Sequence, residues 1–159
     1  MQKTATRVVV CLGLSVSLLG AAASSAQPAD PVAGTWKLNL AKSKYETPAP
    51  RSMTVTFAPG AKGYVVTIDA VAADGQAQKW GSTSSFDGSE SAVSGNPAID
   101  AVVARTTGSA GTVEYKKAGK VISTTSSVFA EDGKTLTVTV KSPTAEGREL
   151  TTIAVYDRQ

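Results

Sequence analysis

Residues 131–140 read Glu-Asp-Gly-Lys-Thr-Leu-Thr-Val-Thr-Val, and this stretch decides the fold class. Leu136, Val138 and Val140 alternate with threonines, and this period of two is typical of a strand with one buried face. The Asp132-Gly133 pair before the strand predicts a hairpin, because both residues tolerate the positive φ of a type I′ turn. The stretch therefore predicts an antiparallel strand next to this one.

The same two signals recur along the chain. Met53, Val55 and Phe57 alternate with polar residues, and further turn pairs are Asp74-Gly75, Asp87-Gly88, Ala118-Gly119 and Glu146-Gly147. We predict an all-β fold of about nine or ten strands, near 35–40, 52–58, 63–72, 76–86, 90–93, 100–107, 111–117, 120–129, 134–142 and 148–157. Consecutive hairpins favour an up-and-down antiparallel β-barrel, because closure removes the exposed edges of a sheet.

Residues 1–26 are predicted to be a signal peptide. Lys3 and Arg7 precede an apolar run over 8–19, and small residues follow as far as Ala26. The apolar run is shorter than the ~20 residues that a spanning helix needs, so we expect cleavage and no stable membrane insertion afterwards. The predicted domains are the signal peptide, a flexible lead-in over 27–33 and a barrel over 34–159. The mature protein is expected in the periplasm or outside the cell.

Composition argues against several functions. The chain has 16 basic residues, 13 acidic residues and no histidine. Loss of Lys3 and Arg7 leaves 14 basic against 13 acidic residues, a net charge of +1, which predicts no nucleic-acid partner. The one cysteine, Cys11, lies inside the predicted signal peptide. The mature chain thus lacks the residues of a Ser-His-Asp triad, a Cys-His pair or a zinc site. We predict no enzymatic activity, no cofactor and no metal site.

The first predicted strand carries a recognisable motif, Gly34-Thr35-Trp36-Lys37-Leu38-Asn39. Its Gly-x-Trp resembles the opening signature of lipocalin and calycin barrels. The chain more closely resembles a family of uncharacterised exported bacterial lipocalin-like proteins, through this motif and through 42–45, 94–97, 131–134 and 155–159. The resemblance implies that Trp36 closes one end of the barrel and that Arg158 lies across its ring, a cation–π contact.

Two features differ from the intracellular fatty-acid-binding branch of these barrels. About a dozen residues, two of them prolines, separate the first two predicted strands, which is too few for that branch's helix-turn-helix lid. The last strand has Ala154-Val155-Tyr156, without the arginine of that branch's Arg-x-Tyr motif. A clamp of that kind for a fatty-acid carboxylate is therefore not expected.

The sequence offers two functions, a carrier of a small ligand and a structural domain. The candidate ligand-binding residues are aromatic, and each could instead be a core residue: Trp80, Tyr64, Phe86 and Tyr115. The hydroxyl-rich segments 82–85 and 123–127 could give a polar lumen or an exposed strand face. A lumen lined by small side chains would favour a carrier of a small apolar or amphipathic ligand. A lumen filled by Met53, Phe57, Trp80 and Leu136 would favour a structural domain that binds another envelope or secreted protein.

The export prediction has a direct test. The mature protein, isolated from the medium or the envelope, should begin at Gln27 or within a few residues of it when its N-terminus is sequenced. Recovery of an intact Met1 from either fraction would contradict cleavage.

Overall fold

The computed structural model describes residues 30–159, which form ten strands and one short 3₁₀ turn, Leu40–Lys42. The predicted signal peptide, 1–26, and the first residues of the lead-in, 27–29, lie outside the described residues. The strands are β1 Gly34–Leu38, β2 Ser52–Gly60, β3 Gly63–Val71, β4 Ala77–Ser84, β5 Asp87–Ser94, β6 Ala101–Thr107, β7 Ala110–Lys117, β8 Lys120–Phe129, β9 Thr135–Pro143 and β10 Glu149–Arg158.

The ten strands close into an antiparallel barrel. Each strand pairs with its neighbour in the sequence, and β1 pairs with β10 through Trp36–Arg158, Lys37–Asp157 and Leu38–Tyr156. The predicted all-β, up-and-down antiparallel barrel is confirmed. Among residues 30–159, no helix is long and apolar enough to cross a membrane.

The period-two pattern decides which side chains enter the barrel. On β9, Leu136, Val138 and Val140 line the lumen, while the threonines between them lie on the other face. The barrel has two ends, which we name by their contents. The tryptophan end holds the start of β1, the end of β10 and connections of two to five residues. The long-loop end holds five connections, 39–51, 72–76, 95–100, 118–119 and 144–148.

The Asp-Gly pairs make turns by a different geometry from the predicted one. Only glycine has a positive φ at Asp74-Gly75 and Asp132-Gly133, so the type I′ prediction is wrong there. Each aspartate instead accepts a hydrogen bond from the amide two residues later, at 2.9 Å. Longer connections suit a type I turn that ends in a left-handed glycine. Among the predicted turn pairs, Ala118-Gly119 forms a two-residue connection, where φ is 48° and 74°, as a type I′ turn requires.

The turn predicted at Asp87-Gly88 lies two residues earlier. The chain reverses at Ser85-Phe86, and Asp87 already begins β5. Phe86 takes a positive φ of 58°, and its ring lies 5.4 Å from that of Tyr64. This tertiary contact favours a backbone conformation that local sequence preference does not predict. Gly88 then occupies a bulge where the β5–β6 register shifts.

Pairing is weakest between β4 and β5. Only two residue pairs join these strands, Gly81–Ser94 and Ser82–Val93, whereas eight pairs join β3 to β4. We call this line the β4–β5 seam. It is the least hydrogen-bonded part of the barrel wall within residues 30–159.

Trp36 and the chain just before it close the tryptophan end. Trp36 has no exposed surface, and its ring packs edge-on against that of Phe129, with 5.3 Å between the ring centres. Its indole N–H donates to the Val32 carbonyl at 3.1 Å. Arg158 Cζ lies 5.1 Å from the centre of the indole, and its guanidinium also donates to the carbonyl of Ala33. The described part of the lead-in, 30–33, is thus held against the barrel.

This closure predicts a particular pattern of energies. Trp36→Ala should lower the free energy of unfolding by about 3–5 kcal/mol, because it removes a fully buried indole and leaves a cavity. Arg158→Ala should cost less, because the indole stays in place. The double variant should lose less than the sum of the two single losses, because the guanidinium then has no ring to contact. Urea unfolding of the four proteins measures this; strictly additive losses would contradict the energetic coupling.

Candidate ligand-binding cavity

The barrel is hollow. A cavity of about 720 Å³ runs through the lumen, within the range of small-molecule sites. It exists because many inward positions carry small side chains: Ala70, Ser82, Ser84, Ala104, Gly111, Thr125, Ser127 and Ala154. Several larger inward side chains, such as Val66 and Val113, are only half-buried although they point into the barrel. Their exposed surface faces the cavity.

The four large residues that could have filled the lumen leave this space open. Met53, Phe57, Trp80 and Leu136 all line the cavity. Leu136 belongs to a compact apolar cluster with Trp36, Phe129 and Tyr156, and Met53 and Phe57 pack against that cluster. The buried strand residues of the cluster come from β1, β8, β9 and β10, and partly buried side chains of β2 and β3 pack against them.

All four predicted ligand-contact residues line the cavity, in two separate pairs. Tyr64 and Phe86 meet edge-on at 5.4 Å near the tryptophan end, beside Phe57. Trp80 and Tyr115 meet edge-on at 6.1 Å. Their strands, β4 and β7, are separated in the wall by β5 and β6, so this second contact crosses the inside of the β4–β5 seam.

Serine and threonine side chains, which were not among the predicted ligand-binding residues, also form part of the cavity wall. Ser82 and Ser84 of β4, and Ser123, Thr125 and Ser127 of β8, line the cavity. The intervening residues of both segments lie on the outer face. The period of two within 82–85 and 123–127 was the available signal, because every second hydroxyl of a strand shares one face.

Thr125 differs from the other lumen hydroxyls. Ser84, Ser123 and Ser127 each have a backbone partner. Thr125 is 5% exposed, and its Oγ1 is the one buried side-chain polar atom within residues 30–159 that has no hydrogen-bond partner. Leaving such a group unpaired costs about 1–3 kcal/mol.

Tyr115 is the neighbour of Thr125 in the lumen. Burial raises the pKa of Tyr115, and the nearby Thr125 hydroxyl opposes part of that rise. The two groups do not reach hydrogen-bond geometry, because Thr125 Oγ1 has no partner in the described chain. The Tyr115 phenol, protonated at neutral pH like that of any ordinary tyrosine, thus lies in the lumen near the unpaired Thr125 hydroxyl.

The cavity wall is almost free of charge. Among the described residues that line it, only Asp30, at the tryptophan end, has a side chain that is normally charged at neutral pH. One Asp30 oxygen accepts from the amides of Val32 and Ala33, and the other accepts from Tyr64 Oη. Burial alone would raise the pKa of Asp30, but these hydrogen bonds and the Arg158 charge together lower it below its ordinary value.

The connection between β1 and β2 covers part of the long-loop end. Tyr45, Pro48 and Pro50 of this connection line the cavity. An antiparallel bridge between Lys44 and Ile153 fixes the connection to β10, and the Glu46 carboxylate accepts from the Thr151 amide at 2.6 Å. The connection is therefore a fixed part of the cavity wall.

No protein family, no curated protein and no solved structure matches this chain. The function must accordingly be argued from the cavity itself. Within the described residues, no three Cys, Asp or Glu side chains come together in a way that could hold a metal ion.

The tyrosines give the hollow barrel a measurable signature. All four tyrosines of the chain have a raised pKa: burial raises those of Tyr45, Tyr115 and Tyr156, and burial with the Asp30 hydrogen bond raises that of Tyr64 to about 12. A raised folded-state pKa contributes stability that is present below the unfolded value, about 10, and is lost above it. Little phenolate absorbance should appear in the folded protein at pH about 10.

The same protein in urea is the control, since its tyrosines should be half ionised near pH 10. In the native protein phenolate should appear mainly above pH about 10, with the Tyr64 component near pH 12. A native tyrosine that titrates near 10 would contradict the buried positions. Tyr64→Phe should remove the component that titrates near 12.

Proposed function

We propose that this chain is a small-molecule-binding barrel, a carrier or receptor for a small ligand, and that it is exported. The observation that supports binding is the cavity of about 720 Å³, lined by small side chains and two aromatic pairs. A barrel with a purely structural role gains stability by filling its lumen, since each buried methylene adds about 0.8 kcal/mol. Here a volume of about 720 Å³ stays unfilled inside the barrel.

Entry of a ligand is proposed at the long-loop end. Trp36, Phe129 and the lead-in residues 30–33 pack together at the other end. At the long-loop end the cavity is bordered by small or apolar residues from separate connections, namely Pro50, Ala72, Ala73 and Ile99. The 39–51 connection is fixed, but no hydrogen bond of the described residues joins 72–76 to 95–100. These two connections can therefore move apart without breaking strand pairs.

The second function, an interaction domain with a filled barrel, has less support. The large exposed apolar side chains, Leu40, Val65, Val121 and Val128, are spread over several elements. Contiguous apolar patches are what mark protein–protein surfaces. The proposal assigns binding rather than catalysis, because the cavity wall offers an aromatic and hydroxyl lining and no paired catalytic groups.

A blocked lumen tests the binding proposal. Ser82 points into the cavity and is half-buried, so Ser82→Phe should occupy ligand space. Thr83→Phe is a matched control, because Thr83 is the next residue of β4 and is exposed on the outer face. N-phenyl-1-naphthylamine, an uncharged apolar dye, should bind the wild-type protein and Thr83→Phe alike. Ser82→Phe should bind it at least about tenfold more weakly.

Fluorescence titration measures the dye affinity, and far-UV circular dichroism checks that both variants fold. Native mass spectrometry of the protein from its own host should also show one small-molecule adduct per chain. The proposal fails if the wild-type protein binds no dye and carries no adduct, or if both phenylalanine variants bind the dye like wild type.

A further inference from the structure

We infer that the ligand is an uncharged molecule with an apolar body and one hydrogen-bonding oxygen, and that this oxygen pairs with Thr125 and Tyr115 inside the lumen. This inference rests on the proposed binding function and specifies its ligand class. Three observations support it: the scarcity of charge in the wall, the unpaired Thr125 oxygen, and the position of the Tyr115 phenol in the lumen near Thr125.

The wall selects against charge. Transfer of a carboxylate or an ammonium group from water into an apolar site is strongly unfavourable unless an opposite charge compensates it. No basic side chain of the described residues lines the cavity, so an anion meets no partner there. The one acidic group, Asp30, is already occupied by Tyr64 and two backbone amides. A cation would therefore gain little from Asp30.

The unpaired hydroxyl selects for a polar atom. Thr125 lies on β8 between Val113 of β7 and Val140 of β9, both of which line the lumen. Thr125 lines the cavity, but its oxygen is buried in the wall without a partner within residues 30–159. A ligand would therefore pair with this oxygen after a χ1 rotation to another staggered rotamer. A ligand oxygen at this point would satisfy an otherwise orphaned group. Other lumen hydroxyls such as Ser123 and Ser127 already have partners.

Tyr115 completes the pair. It lines the cavity beside Trp80, and its phenol, which is protonated at neutral pH as in any ordinary tyrosine, can donate to a ligand oxygen. Thr125 can then donate to the same oxygen or accept from it. A ligand hydroxyl suits both partners, and its apolar body would lie against Trp80 and the aliphatic wall. Medium-chain alcohols therefore represent the inferred ligand class.

A competition assay tests the inference with defined probes. The full mature protein is loaded with N-phenyl-1-naphthylamine, and the dye is displaced by 1-decanol or by decanoate at pH about 8, where decanoate is charged. Decanol should displace the dye at least about 30-fold more effectively than decanoate, because the chain is the same and only the head group differs.

The variants test the two hydroxyl groups. Thr125→Val and Tyr115→Phe should each weaken decanol binding by about 3- to 10-fold, the effect of one hydrogen bond. Dye affinity should stay within about twofold, because the dye has no hydroxyl or carbonyl oxygen. Thr124→Val, the next residue of β8 and exposed, is the matched control and should bind decanol like wild type. Thr125→Val should unfold at the same urea concentration as wild type or at a higher one, because it removes an unpaired buried group.

The possible outcomes distinguish a failure of the binding function from a failure of the inferred ligand class. If neither the dye nor decanol binds, the binding function fails and this inference fails with it. If the dye binds but decanoate competes as well as decanol, the uncharged ligand class is wrong and the binding function stands. If Thr125→Val and Tyr115→Phe both bind decanol like wild type, the inferred hydrogen bonds to these two side chains are wrong and the binding function stands. If Thr125→Val does not fold, Tyr115→Phe gives the result.

Discussion

The pairing of β1 with β10 is the constraint on which the rest of the structure depends. Without it the sheet would have two open edges and no enclosed lumen, because a barrel exists only when its first and last strands meet. Only three residue pairs make this junction, and Trp36 and Arg158 form one of them. The junction is reinforced by the cation–π contact between these side chains and by the Lys44–Ile153 bridge. A short strand thus closes the barrel because its side-chain contacts supplement its few backbone bonds.

The positions of the strands follow from local sequence, and the details of the turns do not. The alternation at 131–140 and at Met53–Phe57 is a local property, so it predicts both the strand and the face that is buried. The reversal at Phe86 depends on the ring of Tyr64, more than twenty residues away in the chain, and the β5 bulge depends on its pairing with β6. No local preference for positive φ exists at a phenylalanine. The turn near Asp87-Gly88 was therefore misplaced.

The cavity could be anticipated only in part. Aromatic residues on strands suggested Trp80, Tyr64, Phe86 and Tyr115, and all four line the lumen. Whether the lumen is filled depends on the summed volume of inward side chains from ten strands, and this sum requires the register of every pair. Thr125 illustrates the difficulty, since Ser123, Thr125 and Ser127 look alike in sequence. They differ only in which backbone carbonyls their neighbours bring within reach.

A hollow barrel must distribute its stability unevenly. Here the buried strand residues of the apolar cluster around Trp36, Leu136 and Tyr156 come from β1, β8, β9 and β10, whereas the β4–β5 seam on the other side has only two residue pairs. Inside that weaker side, the Trp80–Tyr115 contact joins β4 to β7 across the lumen. A ligand held beside Tyr115 and Trp80 would add contacts where the wall has fewest hydrogen bonds. Ligand binding would then stabilise the folded state, and the gain would be concentrated at the seam rather than in the core that already holds the barrel closed.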